Sequence, residues 1–310
     1  MKFALLEWCL RSPVEALPAE TARSWVSHWQ ALPFAGASAF ELAVRGGFQA
    51  DRASWAFCSG YQAALRACFP NTEGEGLFAF CLSEQRGQSS RFLQTRWSAS
   101  AQGIELKGSK SWTALFAHCT AFFIACKKDN AAAEEAELFK VVRVPAGRAG
   151  LSFDVRQPGS FMPELPTARM QLAAVQVEQS SLLPGDGWAD YAKPFSALEE
   201  LYVSAALLAY LLREGRLHGW PHDYLQELLA ALALLGELAT IWIGQPGQQI
   251  ALAGATAWAR KLFTQANALW QRDPEHRAAK RWSRDESIQS LWVRSGERRA
   301  AKAWQAQSPA

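Results

Sequence analysis

The sequence predicts an α+β protein in which helices come first, a block of short strands follows, and helices return in the last third. Two changes of residue periodicity support this prediction. Apolar residues recur at helical spacing in the first part of the chain, short β-rich runs extend from Leu77 to Val177, and helical spacing resumes at Trp188. We therefore expect three domains, an N-terminal helical domain, a middle β-domain and a C-terminal helical bundle, at residues 1–76, 77–186 and 187–310.

The composition is that of an ordinary globular protein and excludes several classes of function. Of 310 residues, 49% are apolar and 20% are charged, and the net charge of +3 is too small to predict nucleic-acid binding. The longest apolar run ends at Arg213, short of the roughly 20 residues that a membrane span needs. Six cysteines without a CxxC pair predict buried thiols and a cytoplasmic location, and the scattered histidines predict no metal site.

The N-terminal helices are predicted from caps and apolar spacing. Ser12 followed by Pro13 is a typical helix start. Residues 19–32 repeat apolar side chains at helical spacing, and so do residues 50–69, for which Asp51 is a plausible N-cap.

The middle region is predicted to be an antiparallel sheet. Short runs rich in Val, Ile and Phe alternate with Gly, Pro, Asn and Asp, which is typical of a barrel or a sandwich. The predicted strands lie within residues 77–83, 91–99, 104–110, 121–127, 138–144 and 170–177.

The last third is predicted to be a four-helix bundle. Four apolar-faced segments are separated by short breaks such as "WIGQPGQQ" and "QRDPEH", and short loops join antiparallel neighbours in bundles. The predicted helices cover residues 191–216, 223–243, 248–272 and 273–304.

Three segments carry a resemblance to a known family. The segments "FAFCLSEQRGQSS" (78–90), "GIELKGSKSW" (103–112) and "VQVEQSSLLPGDGW" (175–188) occur in this order between the expected element types. Together they resemble the acyl-CoA dehydrogenase family, with this chain as a divergent, shortened member. The resemblance implies the family fold, with a middle antiparallel β-barrel, and a bound FAD. Matched to the motifs, the implied cofactor-binding residues are Ser83, Ser89, Trp112 and Thr113.

The chain also departs from the family pattern. Gln85 and Arg86 replace a Pro-Gly pair, and Ser90 replaces an Asp. Ala114 stands where the family usually has a hydroxyl directed at the flavin. In the family, further segments bind the adenine half of FAD across the subunit interface. In this chain only Arg216 resembles a residue of those segments.

The catalytic base of the family is a carboxylate that removes the proton α to the thioester. Most members carry it late in the bundle, and the matching position here is Ser283, which cannot serve. A smaller branch carries it on the first bundle helix, and matching the small pair 205–206 implies Glu200 as the base, although Leu201 replaces the Arg that usually follows it. The alternative interpretation is that Glu199 and Glu200 lie on the solvated first turn of that helix.

The resemblance therefore implies an FAD-dependent oxidoreductase that acts on the CH–CH group of an acyl thioester. It also implies an oligomer, either of this chain alone or with an active paralogue. Two alternatives stay open. The chain is then either a degenerate, non-catalytic subunit, or a flavin monooxygenase or oxidase on the same fold, which needs no carboxylate base.

Overall fold

The architecture comes from a computed structural model, which describes residues 2–84, 93–129, 139–240 and 244–307. The helices are α1 (Lys2–Arg11), α2 (Ala22–Gln30), α3 (Ala39–Gln49), α4 (Ala53–Cys68), α5 (Lys193–Leu217), α6 (His222–Leu238), α7 (Pro246–Trp270), α8 (Arg277–Asp285) and α9 (Val293–Gln305). The strands are β1 (Phe78–Cys81), β2 (Arg96–Ser100), β3 (Gly103–Ala114), β4 (Ala121–Lys128), β5 (Phe139–Pro145), β6 (Leu151–Val155) and β7 (Thr167–Val177).

The N-terminal helices form where the sequence supplies caps, with one exception. Thr21 and Ser38 each close a capping box at the start of α2 and α3. The helix predicted to start at Ser12 is wrong. The chain there is extended, and Leu17 forms a β-bridge with Ala50, so a tertiary contact outweighs the local signal.

The sheet has seven strands in the order β1-β4-β2-β3-β7-β6, with β5 on the outer edge of β4. The predicted antiparallel barrel needs correction. Strand β4 runs parallel to both β1 and β2, and between the described residues the end strands β5 and β6 are not paired, so the sheet is a curled half-barrel. Parallel pairing needs a long crossover, and β1 and β4 are separated by the β2–β3 hairpin, which supplies it.

Helix α5 lies at the centre of the helical part and packs on helices from both ends of the chain. Gly47 of α3 and Gly60 of α4 allow this approach: a Cβ at Gly60 would lie 2.5 Å from the Val203 Cα, and one at Gly47 would overlap the backbone of Ala206. Because these contacts leave no room for a methyl group, both positions need glycine.

The C-terminal bundle forms from α5, α6 and α7 as predicted, but its fourth helix is broken. The predicted single helix over 273–304 is divided into α8, a 3-10 turn at Glu286–Ser290 and α9. One helical stretch, Gly187–Leu217, is long and apolar enough to cross a membrane, and 89% of its most apolar window is buried inside the molecule.

Candidate active site

The candidate site is built around strand β3. This strand has one more residue than its partner β7 at one point, and the extra residue reverses the face on which the following side chains lie. Lys110 pairs with Met170 and Thr113 pairs with Ala168, so β3 contains a bulge between them. Without the bulge, Lys110 and Trp112 would share a face. With it, Lys110 is fully buried, whereas Trp112 is 51% exposed.

The exposed indole of Trp112 is held from one side by an arginine. The Arg156 guanidinium lies 4.5 Å from the centre of the Trp112 ring, and its Nε donates a hydrogen bond to the Ser111 carbonyl at 3.1 Å. This cation–π contact fixes the orientation of a large aromatic surface that remains half exposed to solvent.

Ser83 lies beside this surface. The Ser111 amide donates to the Ser83 carbonyl at 2.8 Å, which brings Ser83 next to Trp112, and Ser83 itself is exposed. Two of the implied cofactor residues are therefore brought together. Ser89, like Gln85, Arg86 and Ser90, lies outside the described residues.

Thr113 lies on the other side of the strand. It is fully buried, and its hydroxyl lies 3.7 Å from the Cys81 thiol of β1. In this orientation the hydroxyl serves the packing between β1 and β3 and does not face solvent. The neighbouring Ala114 offers no hydroxyl in its place.

Glu200 is only 2% exposed and is engaged by two arginines. Its Oε1 accepts from Arg260 of α7 at 3.4 Å, and its Oε2 accepts from Arg299 of α9. It lies in the third turn of α5, so the interpretation of a solvated first turn is wrong for this residue. Since both carboxylate oxygens hold ion pairs inside the bundle, a substrate would compete with Arg260 and Arg299 for them.

Glu199 points to a different part of the molecule. It is partly buried, and its Oε2 accepts a 2.9 Å hydrogen bond from the Trp292 indole at the start of α9. Burial raises the pKa of Glu199 to about 7, and the Trp292 N–H opposes the shift.

The surroundings of Glu199 connect it to the sheet. The Trp292 ring stacks on Phe57 at 6.3 Å, and Phe57 stacks on Tyr61 at 6.0 Å. The Tyr61 hydroxyl accepts from the Phe80 amide of β1, and burial together with the nearby Cys81 and Glu199 raises the pKa of Tyr61. A chain of aromatic contacts therefore leads from the partner of Glu199 through α4 to β1, and Cys81 of β1 contacts Thr113, the neighbour of Trp112.

Other titratable groups near this contact are unsuited to nucleophilic or base chemistry. Burial raises the pKa of the Cys58 and Cys119 thiols well above the usual range and that of Cys81 to about 11, so these thiols stay protonated at neutral pH.

Ser283 and its neighbour Asp285 lie on α8, and Arg216 lies in the last turn of α5. Ser283 lines an open cavity of about 350 Å³ between α7 and α8. Asp285 is fully buried and accepts from the Met162 amide at 2.9 Å and from Arg284. Arg216 donates to the carbonyls of Cys9 and Ser12 and so ties α5 to the N-terminal segment.

Sequence reasoning missed Glu199 and Trp292 as a pair. They are separated by 93 positions, and no local pattern links them. The adjacent glutamates did indicate that only one of the two could face a given contact, because neighbouring residues on a helix point about 100° apart.

Comparison with known proteins reveals similarity in structure but not in sequence. No protein-family model matches the chain, and no curated protein matches it. Butyryl-CoA dehydrogenase from Megasphaera elsdenii superposes with a TM-score of 0.65 at 16% identity, over 98% of this chain and 90% of that one. Acyl-CoA dehydrogenase from Geobacillus kaustophilus gives 0.61 at 14% identity, over 99% and 97%.

A third solved structure has a higher TM-score than these two. TdsC from Paenibacillus sp. A11-2, solved in complex with FMN and indole, has a TM-score of 0.74 at 14% identity, over 99% of this chain and 97% of that one. The chain therefore has the acyl-CoA dehydrogenase-like fold that its three sequence segments predict, in a divergent form.

Proposed function

We propose that this protein is a flavin-dependent oxidoreductase that removes hydrogen from the CH–CH group of an acyl thioester, with FAD as the cofactor. The observation that carries the proposal is Glu199: its partner Trp292 stacks on Phe57 of α4, and the aromatic contacts continue through Tyr61 to strand β1. Burial raises the pKa of the Glu199 carboxyl to about 7. A carboxyl whose pKa lies near neutrality is suited to general base catalysis at neutral pH.

The residues present fit a flavin. The half-exposed Trp112 offers a flat aromatic surface, and the exposed Ser83 offers a hydroxyl and its neighbouring backbone to a polar ring edge. Arg156 keeps the indole from turning. When bound there, the flavin supplies the two-electron acceptor.

The role of the protein is then to take a proton. Desolvation makes the Glu199 carboxylate a stronger base than an ordinary glutamate, and the Trp292 N–H keeps one of its oxygens in place. Within the described part of the chain, no hydrogen bond to the other oxygen is found. Glu200, the base implied by the sequence, instead orders the bundle behind it through Arg260 and Arg299.

The test uses two adjacent substitutions. Glu199→Gln keeps the Trp292 hydrogen bond but cannot take a proton, so we expect flavin binding to persist and acyl-CoA oxidation to fall at least a hundredfold. Glu200→Gln is the matched control and is expected to retain most of the activity per folded molecule. If Glu200→Gln abolishes turnover and Glu199→Gln does not, the base is Glu200.

A second candidate function is a flavin monooxygenase or oxidase. The match to TdsC, solved with FMN and indole, favours it, because the TM-score is higher than for the two dehydrogenases. In that case we expect the protein to bind FMN or FAD and to consume oxygen when the flavin is reduced. We also expect this activity to survive Glu199→Gln. A non-catalytic subunit would bind no flavin at all.

The assembly and location are proposed with the same function. We propose an oligomer, a dimer or tetramer of this chain or a complex with an active paralogue, in the cytoplasm, where the six free cysteines would stay reduced. Light scattering of the purified protein tests the assembly, and a monomer at micromolar concentration would contradict it.

A further inference from the structure

A buried ion pair is formed by Lys110, two residues before Trp112 on strand β3. The Lys110 ammonium lies 2.8 Å from the Glu84 Oε1, and the two side chains are 0% and 7% exposed. Burial alone would raise the pKa of Glu84, but Lys110 and hydrogen bonds from Thr95 and Gln94 lower it below its usual range. Burial lowers the pKa of Lys110, and Glu84 opposes this. The two charges are therefore compatible with burial only together.

The Glu84 carboxylate binds more than its lysine. Its Oε2 accepts from the Gln94 amide at 2.5 Å, and its Oε1 accepts from the Thr95 amide at 2.9 Å. Residues 84 and 94–95 flank residues 85–92, which lie outside the described residues. One carboxylate thus joins both ends of that stretch.

The same group is fixed to strand β3. Ser111, between Lys110 and Trp112, donates its hydroxyl to the Glu84 carbonyl and its amide to the Ser83 carbonyl. Gly108 lets Thr95 pack closely on β3, since a Cβ there would lie 2.7 Å from the Thr95 Cα. The two ends of the stretch and the Trp112 wall are therefore one connected unit.

We propose that Glu84 and Lys110 are positioning residues that hold residues 94–95 against strand β3 and keep Ser83 in register with Trp112. This inference rests on the proposed flavin site. It assigns to the pair a role in cofactor geometry, distinct from a general contribution to stability.

The first experiment measures, without any cofactor, how firmly Glu84 holds the amides of residues 94 and 95. In Lys110→Met, hydrogen–deuterium exchange at the amides of Gln94 and Thr95 is expected to accelerate at least tenfold, while amides of α6 stay unchanged. Lys107→Met is the matched control: Lys107 lies on the same strand and pairs with Glu105, but its side chain is 66% exposed. It should change exchange at residues 94 and 95 by less than twofold.

The second experiment measures the cofactor. Lys110→Met is expected to weaken FAD binding at least tenfold and to shift the visible flavin absorbance band, and Lys107→Met is expected to do neither. If Lys110→Met does not fold, the double variant Glu84→Gln, Lys110→Met removes both charges. The Gln94 and Thr95 amides donate to different oxygens of Glu84, and a glutamine in the same position would turn its NH2 group toward one of them. This variant should therefore fold yet bind FAD weakly.

The outcomes separate the two proposals. If the native protein binds no flavin, the proposed function is wrong, and so is the role of the pair in cofactor geometry. Exchange at residues 94 and 95 then still tests whether the ion pair holds these two residues in place. If the native protein binds FAD and the double variant binds it equally well, or if exchange rises equally in α6, the pair is only structural and the inference is wrong.

Discussion

Two adjacent glutamates are predicted to affect stability with opposite signs. Because burial raises the pKa of Glu199 from 4.5 to about 7, the folded protein binds this proton more tightly than the unfolded chain does. The stabilisation is therefore full below pH 4.5 and is lost as the pH rises to about 7. Above pH 7 the folded protein carries a poorly hydrated carboxylate.

The magnitude follows from the shift. One pKa unit corresponds to about 1.4 kcal/mol, so a rise from 4.5 to about 7 sets an upper limit of about 3.5 kcal/mol for the penalty at pH 8.5. Glu199 is only partly buried, and solvent screening reduces this to about 1–2 kcal/mol. Glu199→Gln keeps an acceptor for Trp292, so it should raise the free energy of unfolding at pH 8.5 by about that amount, and by less than about 1 kcal/mol at pH 5.

Glu200→Gln should act in the other direction. Its loss leaves Arg260 and Arg299 without their carboxylate inside the bundle, which we expect to cost about 2–3 kcal/mol. Urea unfolding followed by circular dichroism at the two pH values measures both effects. A Glu199→Gln variant that is less stable than the native protein at pH 8.5 would refute the desolvated carboxylate, whatever the activity of the enzyme.

Three further predictions concern packing, charge and the aromatic wall. Gly47→Ala should destabilise the protein by more than about 2 kcal/mol in thermal unfolding, because its methyl group meets the α5 backbone, whereas Gly254→Ala on the exposed face of α7 should stabilise it by up to about 1 kcal/mol. Arg52→Met should cost about 3–5 kcal/mol, since this arginine, 2% exposed, neutralises three carboxylates; a loss below about 1 kcal/mol in urea unfolding would count against that network. Trp112→Ala should weaken FAD binding by about fivefold, or about 1 kcal/mol, in a fluorescence titration, and the equally exposed Trp304→Ala should leave it unchanged.

The element types were largely predictable because periodicity is a local property. The long helices α5, α6 and α7 follow from apolar spacing, and the three family segments identified the fold. The predictions that were wrong concern tertiary contacts. Parallel pairing of β4 with β1 and β2 depends on which strands meet, and the break between α8 and α9 depends on what Trp292 packs against.

The site was only partly predictable for the same reason. Trp112 and Ser83 were found from motifs, and the backbone bond between Ser83 and Ser111 brings them together. The bulge in β3, which buries Thr113 and exposes Trp112, has no signal in a single sequence. The distinction between Glu199 and Glu200 depends on the distant residues that each one faces.

The most direct test of the proposed function is an anaerobic titration of the purified protein with acyl-CoA, followed by absorbance from the near-ultraviolet to the blue. We expect a flavin spectrum that bleaches on addition of acyl-CoA in the native protein and in Glu200→Gln, but not in Glu199→Gln. A protein that stays colourless after incubation with FAD would contradict it.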